Sequence, residues 1–219
     1  FKQDNTYFFT VHVAPPARIL CINGEFSGGG ADDTAYWFRS ALVHHATSPF
    51  QVDVIGPGDF NANALASYAA VVLMNVNGLS PAQLDALQTY VKGGGGLLLA
   101  PADRVDDKDF NQNYGSLSPA FLKQKHVFTD GTALAITQVS AHHSIIRFMQ
   151  EGRTTDFDGA RFFGYWGIEP AAGSELILGF ENGDAALIAN RVGNGRVLLF
   201  TSSLDPGWNN FPRQVTYLP

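Results

Sequence analysis

Residues 69–74 read AAVVLM, an apolar run with no polar face. A strand of that composition needs cover on both sides, the signature of a parallel sheet held between two layers of helix. Two more runs repeat the pattern: residues 18–22 (RILCI), closed by the turn pair Asn23-Gly24, and residues 97–100 (LLLA). Residues 51–55 (QVDVI) form a fourth candidate strand. Helical signals lie between them. Asp32 or Asp33 is placed to cap a helix in which Ala35, Phe38, Leu42 and Val43 recur at helical spacing. Ser80-Pro81 supplies an N-cap with proline at the first helical position. Leu84, Leu87 and Val91 form the inward stripe of that helix, and the glycines 93–96 end it. This β-α-β-α-β rhythm predicts an α/β domain with a doubly wound, mostly parallel sheet and right-handed crossovers. The strand at Arg18 is expected between those at Gln51 and Ala69.

The pattern changes after Pro101. Residues 103–115 are polar and read as loop with a short helix. Residues 133–139, 159–163, 176–180, 185–191 and 196–201 read as strands. Val192-Gly193-Asn194-Gly195 has the chemistry of a tight hairpin turn. The C-terminal half is therefore expected to be strand-rich and partly antiparallel. Residues 7–13 (YFFTVHV) read as a further strand ended by Pro15-Pro16. Two units follow from this: an N-terminal strand in residues 1–16, assignable to this domain or to a preceding one, and the α/β domain in residues 17–219.

Composition narrows the function classes. Hydrophobic residues make up 45% and charged residues 16% of the 219 residues, enough for a sizeable core. The net charge of 14 − 20 = −6 and the absence of any Lys/Arg cluster argue against nucleic acid as a partner. Cys21 is the single cysteine, so no internal disulfide forms.

Four segments together carry a resemblance. They are residues 7–24 (YFFTVHVAPPARILCING), 79–99 (LSPAQLDALQTYVKGGGGLLL), 161–170 (RFFGYWGIEP) and 193–208 (GNGRVLLFTSSLDPGW). The chain resembles the glutamine-amidotransferase-like domain of bacterial aerotolerance-regulator membrane proteins. The resemblance implies a flavodoxin-like fold of the class I glutamine amidotransferase type. It also implies an extracytoplasmic, periplasmic domain anchored in a bacterial inner membrane by helices outside this segment, partnered by other domains of its own chain or by envelope proteins. The start at Phe1 and the apolar ending at Leu218-Pro219 fit an excerpt from such a longer chain.

The chemistry of a true amidotransferase is missing. Such enzymes place a Cys on a tight strand-to-helix turn, with a His after a late strand lowering its pKa. The matching turn here reads Pro101-Ala102-Asp103, and the late strand leads to Ser202-Ser203-Leu204-Asp205. Cys21 falls inside the first strand and reads as a small buried hydrophobe. A Ser nucleophile lacks a G-x-S-x-G elbow and needs a base. Of His12, His44, His45, His126, His142 and His143, only the pair His142-His143 merits consideration. Ser202 and Ser203 read as satisfying backbone groups at a strand end. Asp103, Asp106, Asp107 and Asp109 lack the spacing of a calcium loop and read as a solvated helix start. Adjacent histidines on a strand point to opposite faces, which disfavours zinc. Gly28-Gly29-Gly30 lacks a phosphate-binding pattern, with Asp32 and Asp33 repelling an anion. No catalytic residue, cofactor or metal site is assigned.

Ligands of open α/β sheets bind beyond the C-terminal strand ends. That crevice is expected to be lined by Asn23, Gly24 and Glu25, by Asn75 and Asn77, by Asp103 and Arg104, and by Ser202, Ser203 and Asp205. Phe162, Phe163, Tyr165 and Trp166 read as core packing by default, with a docking surface as the alternative. The leading expectation is a non-catalytic binding or interaction module. The alternatives are a hydrolase using Ser or carboxylate in the same crevice, and a small-molecule sensor.

Overall fold

A computed structural model describes residues 15–28, 30, 33–43, 48–151, 157–214 and 217. The expected strand at 7–13, the histidines His12, His44 and His45, Asp32 and the ending at Leu218-Pro219 lie outside the described residues.

The strands and helices alternate as the apolar runs predict. β1 (Ala17–Asn23), β2 (Phe50–Ile55), β3 (Ala70–Met74) and β4 (Gly96–Ala100) are separated by α1 (Tyr36–Leu42) and α2 (Pro81–Lys92). After α3 (Asp107–Tyr114) come β5 (Ala120–Val127), β6 (Ile136–Val139), α4 (Ser144–Glu151), β7 (Gly164–Pro170), β8 (Glu175–Phe180), β9 (Ala185–Val192) and β10 (Gly195–Phe200). Among the described residues, one sheet has eight strands in the order β2-β1-β3-β4-β10-β9-β8-β6, and β5 and β7 form a second, two-stranded sheet. β1 lies between β2 and β3, as expected, and the pairs from β2 to β10 are parallel. The pairs from β10 to β6 are antiparallel.

Both faces of the central strands β1, β3, β4 and β10 are covered, which is why these strands are nearly continuous apolar runs. Leu20, Ile22, Val71, Leu73, Leu97, Leu99, Val197 and Leu199 pack with Leu87 and Val91 of α2 and with Phe110 and Tyr114 of α3. The alternate residues Ile19, Cys21, Val72, Met74, Leu98, Leu198 and Phe200 pack with Ala35 and Phe38 on the α1 side and with Ile145 and Ile146 of α4. The period-2 alternation of side chains along each strand divides the core into these two layers.

Local chemistry sets the boundaries. Ser80 and Gln83 close a capping box at the start of α2: the Ser80 hydroxyl accepts from Gln83 N, and Gln83 Oε1 accepts from Ser80 N at 2.9 Å. The β9–β10 hairpin turns at Gly193 with φ 61°, where an added Cβ would lie 2.7 Å from the Lys92 carbonyl oxygen.

Three expectations change. The strand expected at 159–163 starts at Gly164 instead. Phe162 makes only isolated bridges, to Leu134 on one side and Asn209 on the other, so no ladder propagates through it. The strand expected at 133–139 is confined to Ile136–Val139. His142 and His143 are not on a strand. They occupy the turn before α4, where His143 Nδ1 accepts from Ile145 N.

Candidate functional site

The C-terminal ends of β1, β3, β4 and β10 converge at one edge of the large sheet, and their loops are tied to each other. Asn23 is fully buried. Its side-chain amide donates to Asp33 Oδ1 at 2.7 Å and to Thr34 Oγ1 at 2.9 Å, while its oxygen accepts from Glu25 N at 3.0 Å. Gly24 follows because no other residue fits: a Cβ there would sit 2.0 Å from the Asn75 carbonyl oxygen.

Asn75 ends β3 with φ 52°, a left-handed conformation that Asn tolerates better than most residues. In that pose its side-chain oxygen accepts from Ala102 N and Arg104 N, each at 3.2 Å, and its amide donates to Asp103 Oδ1 at 2.8 Å. One side chain thus shapes the whole Pro101-Ala102-Asp103 turn. Asn77 lies further out, exposed, with its oxygen accepting from Asp106 N at the entry to α3. Asp106 caps that helix by accepting from Lys108 N and Asp109 N, so this acidic stretch is a helix start.

Ser202 and Ser203 are buried and structural. The Ser202 hydroxyl donates to the Gly164 carbonyl at 2.7 Å and accepts from Asn209 Nδ2 at 3.1 Å. The Ser203 hydroxyl donates to the Asp205 main-chain carbonyl at 2.9 Å and accepts from Trp208 N at 3.2 Å. Among the described residues, neither hydroxyl bonds a histidine.

What faces the crevice is a group of charges. Burial pushes the Glu25 carboxyl above its ordinary range, the charges of Asp103 and Asp205 push it further, and Arg104 and a hydrogen bond from Asn75 oppose them. Burial also raises the Asp205 carboxyl, against the lowering effects of Gly207 N and the nearby Ser203 hydroxyl, with the Asp103 charge adding to the rise. Glu25, Asn75, Asp103, Arg104 and Asp205 therefore come together, while Asn23, Ser202 and Ser203 stand behind them as framework. Among the described residues, no three His, Cys, Asp or Glu side chains group so as to hold a metal ion.

The two-stranded sheet supplies a wall that the sequence reading did not assign. Trp166 Nε1 donates to the Ala102 carbonyl at 3.2 Å. Lys125, its cross-strand partner, donates from Nζ to the Asp103 carbonyl at 3.1 Å and lies 5.5 Å from the Trp166 ring centroid. The mixed polar run Lys123-Gln124-Lys125 hid this strand. The alternation of Ala120 and Leu122 was its only signal.

The docking-surface reading of the aromatic segment is corrected by burial. Phe162, Tyr165 and Trp166 are 0%, 2% and 4% exposed, and Phe163 alone faces outward at 37%. Phe162 packs edge-on against Phe180 and Phe200, and Tyr165 stacks on His126 at 4.8 Å while donating to Asp184 Oδ2 at 2.6 Å.

No protein-family model and no curated protein matches the chain. Solved structures match its fold. The cytoplasmic protein STM1381 from Salmonella typhimurium LT2 aligns with a TM-score of 0.70 at 20% identity, over 92% of this chain and 95% of its own. The cytoplasmic protein STM3548 from Salmonella typhimurium aligns with a TM-score of 0.68 at 17% identity, over 91% and 94%. The cold-adapted β-galactosidase from Rahnella sp. R3 aligns with a TM-score of 0.60 at 16% identity, over 85% of this chain but only 28% of the enzyme. The expectation of a periplasmic, membrane-anchored domain is corrected accordingly. The two structures matched over nearly their full length are described as cytoplasmic proteins. Among the described residues, no helix is long and apolar enough to cross a membrane. At these identities the likeness establishes the shared α/β fold.

Proposed function

We propose that this domain is a non-catalytic binding module on a flavodoxin-like frame of the class I glutamine amidotransferase kind, its polar crevice serving a ligand or another protein segment. The observation that carries this reading is the state of the two serines. Each hydroxyl at the end of β10 donates to a main-chain carbonyl and accepts from the Asn209 amide, with Ser203 also beside the Asp205 carboxyl, and the turn after β4 is closed by Asn75 and Trp166 around residues that carry no nucleophile. An acyl-transfer site needs a nucleophile within reach of a base. The charged group formed by Glu25, Asp103, Arg104 and Asp205 offers recognition instead: a guanidinium beside carboxylates suits a polar, zwitterionic solute or segment. The fold's occurrence both as nearly a whole protein and as about a third of larger glycosidases is consistent with a module.

A second reading has its own observation. Glu25 and Asp205 both have raised pKa values at one crevice, and carboxyls of that kind serve as general acids in hydrolases. Calorimetry with polar amino-acid-like solutes, run on the parent, Arg104→Ala and Glu25→Gln, separates the two. Binding without turnover, weakened in Arg104→Ala, supports the module. Ester or amide turnover that disappears in Glu25→Gln replaces it with the hydrolase.

A further inference from the structure

The face of the large sheet beneath α1 and α4 carries two adjoining concavities of opposite character. One is a cavity of about 270 Å³ lined almost wholly by apolar side chains, among them Leu98, Leu178, Leu187, Leu198, Phe200 and Ile145. The other is a polar cleft of about 240 Å³ lined by His143, Glu175, Asn190, Arg191 and Arg196. The strand pattern makes them one surface. Arg196, Leu198 and Phe200 are alternate residues of β10 and share a face. Arg191, Ala189 and Leu187 are their cross-strand partners on β9, in register. Alternate residues on a strand are spaced about 6.6–6.8 Å apart. The guanidinium row therefore stands one step from the row that lines the apolar cavity.

Arg191 and Arg196 face each other directly, an arrangement that costs stability unless an anion lies between them. Among the described residues neither guanidinium has an ion pair or hydrogen bond, and both are exposed. The one carboxylate at the cleft, Glu175, lies 4.0 Å from His143 Nε2, and that imidazole is fixed by accepting from Ile145 N. Two cations against one carboxylate leave the cleft positive.

We infer that this face binds a single-chain anionic amphiphile, a medium-chain fatty acid, with its carboxylate held between Arg191 and Arg196 and its alkyl chain in the apolar cavity. Arg pairs match the planar carboxylate by forked hydrogen bonds. The cavity is slightly smaller than the usual range for ligand pockets, which suits one unbranched chain and excludes a two-chain lipid. The site uses none of the crevice's charged residues and does not rest on the function proposed for that crevice.

Calorimetry on the full chain with acetate, hexanoate, octanoate and decanoate tests the inference. Affinity should rise about fourfold per added methylene, the equivalent of ~0.8 kcal/mol, up to the length the cavity accepts. Arg191→Ala/Arg196→Ala, two exposed positions whose loss leaves the core intact, should weaken decanoate at least tenfold and leave 1-decanol unchanged. Affinity independent of chain length overturns the inference in favour of a simple anion cleft. Equal loss or no loss for decanoate and decanol in the double variant overturns the carboxylate clamp. No saturable binding to the full chain also overturns it. Binding that emerges only after residues 1–14 are deleted then assigns the cavity to the chain's own N-terminal segment. A concentration-dependent dimer that decanoate leaves intact assigns it to a second copy.

Discussion

The Trp166 indole N–H donates to the Ala102 carbonyl oxygen at 3.2 Å, joining the two-stranded sheet to the turn after β4. Both groups are buried. The Pro101-Ala102-Asp103 turn is thus held both by the indole and by the Asn75 side chain.

Trp166→Phe keeps an aromatic ring but leaves the Ala102 carbonyl with only the Val105 N–H, at 3.4 Å. Unfolding in urea should show a loss of about 0.5–1.5 kcal/mol, the net contribution of one hydrogen bond. Trp166→Ala should lose about 3–5 kcal/mol, since the ring's packing goes as well. Equal stability of the parent and Trp166→Phe would show that the hydrogen bond contributes nothing.

Asn75 is under two separate demands, its φ of 52° and its side-chain hydrogen bonds to Ala102 N, Arg104 N and the carboxyls of Asp103 and Glu25. Ala and Gly both delete the bonds, but only Gly relieves the left-handed backbone. Asn75→Gly should therefore be more stable than Asn75→Ala by about 1 kcal/mol, the left-handed penalty of a Cβ-bearing residue. Both should fall below the parent. The reverse order of urea midpoints would remove the backbone argument.

Cys21 is fully buried between β2 and β3, and burial, with the Asp33 charge adding, pushes its thiol up to about 12. A thiol in that state is protonated at neutral pH and inert. A disulfide reagent should label it only as fast as the domain unfolds, and no glutaminase activity should depend on it. Cys21→Ser should fold, with a destabilisation of about 1–3 kcal/mol from burying a hydroxyl among apolar neighbours. Rapid labelling of the native state would contradict its placement.

The large sheet was legible because burial on both faces forces a near-continuous apolar composition, as in residues 70–74, and because Ser80-Pro81 and Val192-Gly193-Asn194-Gly195 carry their geometry in their side chains. β5 was not legible. Its register shifts between Leu122 and Lys125, so the period-2 alternation breaks where the strand is most polar. α4 was hidden by the adjoining histidines, one of which serves it by accepting from Ile145 N. The strand-end residues of the crevice were found by topology alone. Their division into framework and facing charges was not, because Ser202 and Asp205 differ in role through hydrogen bonds to Gly164 and Gly207, residues whose positions no local pattern fixes. Lys125 entered the wall through a strand the reading had missed. The aromatic residues 162–166 read as core by default, with a docking surface left open as the alternative because composition does not distinguish a buried cluster from an exposed one; burial bears out the default for Phe162, Tyr165 and Trp166.

Asp205 and Glu25 each have a carboxyl raised by burial and by neighbouring carboxylates. For an acid whose folded-state pKa is raised, both states are protonated below the unfolded value, about 3.9 for Asp and 4.3 for Glu, and the group has no effect on stability there. As pH climbs from that value through the raised folded-state pKa, the unfolded chain releases its proton first, so stability declines and then levels off. These two groups therefore destabilise the fold at neutral pH and cease to do so in acid. Asp205→Asn removes the charge and keeps an oxygen to accept from Gly207 N, whose bond in the parent is 2.6 Å. It should raise the urea midpoint at neutral pH, and the gain should shrink as pH falls toward the unfolded value. It should also bring the Glu25 carboxyl down, because one of the charges holding it up is gone. NMR titration of the Glu25 carboxyl carbon in the parent and in Asp205→Asn reads that second effect directly. A midpoint that falls at neutral pH, or a Glu25 titration that does not move, would show that the three carboxylates do not share one site.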